Sequence, residues 1–281
     1  MRAGGARGAR VRIGLTAVLG MVVVGCDSGD DLVVDGTAPS APYDGPLNVP
    51  TRELGEYTPQ ALRLASGAAG RALECAGEIR NGNGPDGWSR DDGADSPEEG
   101  LKLYFDLLDP GDPRSGYRVE RRETDRVLFS YDVDGRTKVA VVVAKDQRGR
   151  PGWGPETSAS CDPSDWTDSH GYEIWTDRAG ERVPTTEVSS GPGDDHCGRR
   201  EVHFLDLGER TYARDPEGLL DPGMLITAYD GSADLPARAH DTGYRYADRQ
   251  LWLTDDRRTA YVRTADGVEA WPLLKEHVAC K

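Results

Sequence analysis

The chain has 281 residues, with 49 acidic side chains against 34 basic ones and a net charge of −15. A surface of that sign repels nucleic acid and anionic lipid head groups, so neither is expected as an electrostatic partner. Five cysteines, too few for a small disulfide scaffold but an odd number, set the first question to be answered along the chain.

Arg2, Arg7, Arg10 and Arg12 form a positive start free of acids, and Ile13 to Gly25 is a mostly apolar run. Thirteen residues are too few to span a bilayer, which takes about 20, but they match the apolar segment of a signal peptide. The end of the run, Val23-Val24-Gly25-Cys26, resembles the lipobox of bacterial lipoproteins. That resemblance implies cleavage after residue 25 and a lipid on the Cys26 thioether. Stable attachment takes more than one acyl chain, which the diacylglyceryl group of such proteins supplies. Without the first 25 residues and their four arginines, 30 basic side chains face 49 acidic ones, a net charge of −19.

With Cys26 set aside, Cys75, Cys161, Cys197 and Cys280 remain. An even set in an exported chain points to two disulfides, in one of three connectivities. The expected pairs are Cys75–Cys161 and Cys197–Cys280, because each brackets one half of the chain.

Residues 26–57 mix Gly, Pro, Ser and acids without a period and read as a flexible tether. A helix is expected from Thr58-Pro59 to about Ala76, weakened by Gly67 and Gly70. Ser96-Pro97-Glu98-Glu99 is a capping box that starts a second helix, with Leu101, Tyr104, Phe105 and Leu108 on one stripe and Asp109-Pro110-Gly111 as its stop. Val127, Phe129, Tyr131 and Val133 alternate with polar residues, Asp134-Gly135 makes a turn, and Val139, Val141 and Val143 return. A strand over Trp153 to Cys161 completes an antiparallel meander. The reading for 58–165 is therefore α+β, two N-terminal helices packed on one face of the meander. Residues 166–281 read as mostly β, with strands at 172–175, 182–188, 200–207, 224–229, 249–254, 259–264 and 267–272.

With these segments placed, the chain resembles an uncharacterised family of actinobacterial secreted lipoproteins. The stretches that carry the likeness include "YRVERRETDRVLFSYDVDGRTKVAVVVAKD", "ASCDP" (159–163), "YARDPEGLL" (212–220), "DTGYRYADRQLWLTDD" (241–256) and "GVEAWP" (267–272). The family pattern places an aromatic soon after His196-Cys197, where this chain has Gly198-Arg199-Arg200. Five Lys against 29 Arg fits the same high-GC coding bias. The resemblance implies export and lipidation, and it brings no activity or catalytic residues.

No pattern in the chain specifies a cofactor, a metal or a catalytic group. His196, Cys197 and His203 are potential zinc ligands without a zinc-site spacing, and "DVDG" (132–135) lacks the later acids of a calcium loop. Ser189, Ser190, Asp194, Asp195 and His196 crowd one stretch, but no nucleophile-elbow motif surrounds a serine. Carboxylates are too many to single out a pair. Six Trp, at 88, 153, 166, 175, 252 and 271, leave room for a glycan platform. The expectation is a lipid-anchored protein on the extracytoplasmic face of the cell membrane that acts by binding or structural interaction with a protein or glycan partner rather than by catalysis. The alternatives are a carboxylate-dependent hydrolase and a cell-wall glycan-binding module.

Overall fold

In the computed structural model, the described residues are Met1, 31–36, 38–39, 41–52, 55, 58–84, 88–108, 111–167, 170–193 and 198–275. Cys26, Cys197 and Cys280, and with them the lipid site and the second expected disulfide, lie outside them.

The expected α+β fold with two N-terminal helices is overturned: among the described residues the protein is mostly β, with twelve strands in three antiparallel sheets and three short helices. The first helix breaks in two, α1 (Pro59–Ala65) and α2 (Gly67–Ala72). Gly67 is the cause. Its φ of +54° lies in the left-handed region, where glycine carries no steric penalty. α3 (Pro97–Leu108) starts at its expected capping box, with the return bond one residue earlier than usual. Ser96 Oγ accepts the Glu99 N–H at 3.2 Å, while Glu99 Oε2 reaches back to the Asp95 N–H at 3.1 Å.

The largest sheet holds β1 (Ile79–Asn83), β2 (Tyr117–Arg122), β3 (Arg126–Val133), β4 (Arg136–Lys145) and β5 (Trp153–Cys161) in the order β1-β5-β4-β3-β2. The β3–β4 turn has Asp134 at φ 51° and Gly135 at φ 71°, the positive pair a two-residue hairpin turn demands. The helices do not share a face of this sheet. Ala140 and Val142 of β4 pack with Ala68, Ala69 and Ala72 of α2, while Val139, Val141 and Val143 pack with Leu101, Tyr104 and Phe105 of α3. A strand covered on both sides must be apolar at every position, and residues 139–144 are all 0% exposed. "VAVVVA" is such a run, not an alternation.

The segment expected as a tether docks on the sheet in its described part. Val33 pairs in parallel with Tyr117 of the edge strand β2, through Val34 N–H to Tyr117 O at 2.7 Å and Tyr117 N–H to Leu32 O at 2.9 Å. Glu120 Oε1 accepts the Tyr43 N–H at 2.5 Å, and Glu123 Oε1 accepts the Leu47 N–H at 3.0 Å. Leu47 is 2% exposed in the α2-side core. The strap covers an edge that would otherwise present unpaired backbone groups.

Beyond position 180 come β6 (Val188–Pro192), β7 (His203–Leu207) and β8 (Arg210–Arg214) in one sheet. β9 (His240–Tyr246), β10 (Arg249–Leu253), β11 (Thr259–Arg263) and β12 (Val268–Pro272) form the other. The two share a core in which Val188, Leu205 and Tyr212 meet Leu251, Val262 and Trp271. The expected strands at 172–175, 182–188 and 224–229 are instead irregular chain with isolated bridges. Trp166 and Tyr172, expected at the start of the second half, pack into the α3-side core of the first. The described residues from Asp31 onward form one unit. No helix among the described residues is long and apolar enough to cross a membrane.

Candidate functional site

Two of the side chains picked out for possible chemistry, Ser190 and His203, come together, and they do so around a residue that no motif marked. Ser190 ends up on β6 and His203 on β7; Glu173 reaches them because its backbone bridges to Ser190. Glu173 Oε2 accepts a hydrogen bond from Ser190 Oγ, one from His203 Nε2 at 2.8 Å and one from Arg249 Nη1 at 3.2 Å. Trp175 Nε1 donates to Ser190 Oγ at 2.8 Å.

This order rules out an activated serine. A nucleophilic serine passes its proton to a histidine that an acid orients; here the acid stands between serine and histidine. Burial raises the Glu173 pKa, but the bonds from His203 and Ser190, with the His203 and Arg249 charges, bring it net below the ordinary value. A carboxylate of low basicity does not draw the proton from a hydroxyl. Glu269 is in a similar state: burial raises it, while bonds from Arg214 Nε at 2.9 Å and Trp271 Nε1 at 2.8 Å lower it overall. A glycosidase pairs an ionised carboxylate with one held protonated. Among the described residues the carboxyl raised from its ordinary value is Asp112, which lies in the α3-side region of the first half.

The second site is the seam where the halves meet. Asp162, 3% exposed just after β5, accepts the Thr185 N–H with both oxygens at 3.0 Å, the Thr185 hydroxyl at 2.7 Å and the Ser164 N–H at 2.9 Å. Arg80, at a bulge in β1, donates to Thr185 Oγ1 and stands 4.0 Å from Asp162 Oδ2. Arg182 crosses the seam to the carbonyls of Thr167 at 3.2 Å and Pro163 at 3.3 Å. These bonds frame a cavity of about 310 Å³ whose wall includes Arg80, Asp162, Asp165, Arg182 and Glu187. A more open hollow of about 500 Å³ shares Arg182, Pro184 and Glu187 with it and adds Arg178 and Tyr244. The two meet at those three residues, and both signs of charge stand along the resulting groove. Clefts where two cores meet are preferred places for small-molecule sites.

The expected Cys75–Cys161 disulfide is formed, with the Cα atoms 5.4 Å apart. It stiffens the groove's inner end, since Asp165 Oδ2 accepts the Ala76 N–H at 2.7 Å beside it and pairs with Lys138 Nζ at 3.1 Å. Cys75, Cys161 and Asp165 are also the one group of three potential metal ligands among the described residues. Two of the three are spent in the disulfide. The six tryptophans do not build a platform: Trp175, Trp271, Trp166 and Trp88 are buried, and Trp153 and Trp252 are half-buried.

Sequence reasoning missed Glu173, Asp112 and Arg80 for one reason. Each is a common charged residue whose surroundings come from distant segments, and no local spacing marks it. Comparison with protein families, with curated proteins and with solved structures returns no match, so the family resemblance rests on the quoted stretches alone.

Proposed function

We propose that the chain is an exported protein, held at the extracytoplasmic face of the cell membrane by a lipid on Cys26, that acts by binding a small ligand of mixed charge in the seam groove. The positive start, the apolar run and the Val-Val-Gly-Cys border support the anchor. The groove carries the reading of function: it is a bounded cavity in which guanidinium and carboxylate groups stand on the same wall. Arg182 suits a carboxylate or phosphate, and Glu187 suits an ammonium. A binding role also agrees with Ser190, which has an acid where a nucleophile needs a base.

The test is a thermal-shift screen of the purified protein against amino acids, dipeptides and amino sugars. A zwitterion at 100 times its Kd stabilises the folded state by about 2.7 kcal/mol. Glu187→Gln should remove that shift with little change to the free protein, because Glu187 is exposed and a glutamine oxygen still accepts the Tyr244 hydroxyl. A screen in which no charged member shifts the wild type, or in which Glu187→Gln responds equally, refutes the reading.

A further inference from the structure

The strap limits how much free chain can stand between Cys26 and the domain. Its first docked residue among the described ones is Asp31, whose carbonyl accepts the Gly116 N–H at 2.9 Å, and the pairing of Leu32 and Val34 with Tyr117 follows at once. Leu32 and Val33 pack on the α3-side core, whereas Tyr43, Leu47 and Val49 pack on the α2-side core. The strap therefore rounds the β2 edge and is fastened on both faces of the large sheet. A fully extended chain spans at most about 3.6 Å per residue. Cys26 and Asp31 are five residues apart, so no path between them puts Cys26 more than about 18 Å from the domain edge. A tether free as far as Thr58 would allow roughly 110 Å.

The sheet register shows which end of the domain is held. Asn81, Ser160, Val139, Tyr131 and Tyr117 are directly paired neighbours in one row across the five strands, and Val33 of the strap continues it. At about 4.8 Å per strand the row is about 24 Å long. Arg80, next to Asn81, and Asp162, two residues beyond Ser160, stand on the wall of the seam cavity. The strap thus enters at the sheet end that carries the seam. Covalent reach and strand spacing alone keep Arg80 within roughly 55 Å of Cys26.

Resting on the lipid at Cys26, we propose that the strap is a positioning device: it holds the seam end of the domain at the bilayer surface, and the partner this end meets is the lipid head-group layer. The groove then works on molecules at or near that layer, a confinement that a free tether would not impose.

The experiment is specular neutron reflectometry of the intact lipidated protein on a phosphatidylcholine bilayer. It is run beside a variant with about 30 Gly and Ser residues inserted between Asp30 and Asp31, a flexible insert with a root-mean-square span of roughly 30 Å. The insert leaves every docked contact of the strap in place. The wild-type layer should begin within about 20 Å of the head groups, and the insert should move its centre outward by at least half of the inserted span. A second variant, Val34→Pro with Leu47→Asp, removes the N–H that bonds Tyr117 and puts a charge into the α2-side core. It frees the strap and should move the layer outward as well. A wild-type layer as distant as that of the insertion variant overturns the proposal, and so does a folded strap-release variant that stays at the wild-type distance. The insertion comparison decides the matter even if the release variant fails to fold. A protein that carries no lipid mass at Cys26 and forms no layer refutes the anchor itself, and the proposal with it.

Discussion

Asp112→Asn should stabilise the protein at neutral pH and not in acid. Burial is the first cause of the Asp112 shift, outweighing the lowering effects of the bonds from Tyr104 and Ser160 and of the Arg80 charge, and the carboxyl moves from 3.8 to about 6. The folded state therefore holds a proton that the unfolded chain has already released between those two values, so stability falls as pH rises through the window. Each unit is worth about 1.36 kcal/mol, so the wild type loses roughly 3 kcal/mol from this one group between pH 3.5 and pH 7. Asparagine keeps the shape and still offers an oxygen to the Tyr104 hydroxyl, but it does not ionise. The quantity to measure is the difference in unfolding free energy between variant and wild type, from urea titrations at half-unit steps from pH 3.5 to 8 with equal slopes required. Groups common to both proteins cancel in that difference. It should rise by about 3 kcal/mol across the window and level off above pH 7. A flat difference, or one that falls with pH, would show that the Asp112 carboxylate is adequately solvated or paired, and the argument from burial would fail.

Glu173 has the opposite sign. Its folded-state pKa is depressed, so its contribution is present above the ordinary value of 4.5 and is lost as pH falls through the lower folded value; Glu173→Gln should cost about 1–3 kcal/mol at pH 7 and progressively less in acid unfolding titrations. Replacing Cys75 and Cys161 together by alanine opens a loop with a sequence separation of 86 and should lower stability by up to about 4–5 kcal/mol, with non-reducing peptide mapping first recovering the 75–161 pair from the wild type. Cys26→Ser should leave the protein unprocessed or release it to the medium, read by detergent-phase partitioning; a variant that still enters the detergent phase as the wild type does would count against the lipid.

Local chemistry was readable where an element is decided within a few residues. The Asp134-Gly135 turn, the Ser96 capping box and the strand from Trp153 to Cys161 follow from dihedral preference, end-group hydrogen bonding and pattern. The alternation assigned to β4 was a misreading, because the intervening Ala140, Val142 and Ala144 are apolar too. Their meaning, a second covered face, requires α2 to be present on that side. β1, β8 and β9 ("IRNGN", "RTYAR" and "HDTGYRY") carry little apolar signal, since their pairing is set by neighbours from elsewhere in the chain. The strap has the composition of a tether, and what docks it is a pair of carboxylates on β2 and just beyond its end, with one leucine in the core.

By itself the sequence determined the positive start, the apolar run, the lipobox-like border and the even set of remaining cysteines. All of these are statements about covalent chemistry and short-range pattern. The tertiary structure decided which acids matter. Among 49 acidic residues, Glu173 is held low by a histidine, a serine and an arginine from three other segments. Asp162 is locked into the seam by Thr185, and Asp112 is buried against the Tyr104 hydroxyl, its carboxyl raised by desolvation. A carboxyl group's pKa and partners depend on the charges, donors and solvent within a few ångströms, and only the folded chain brings those neighbours together.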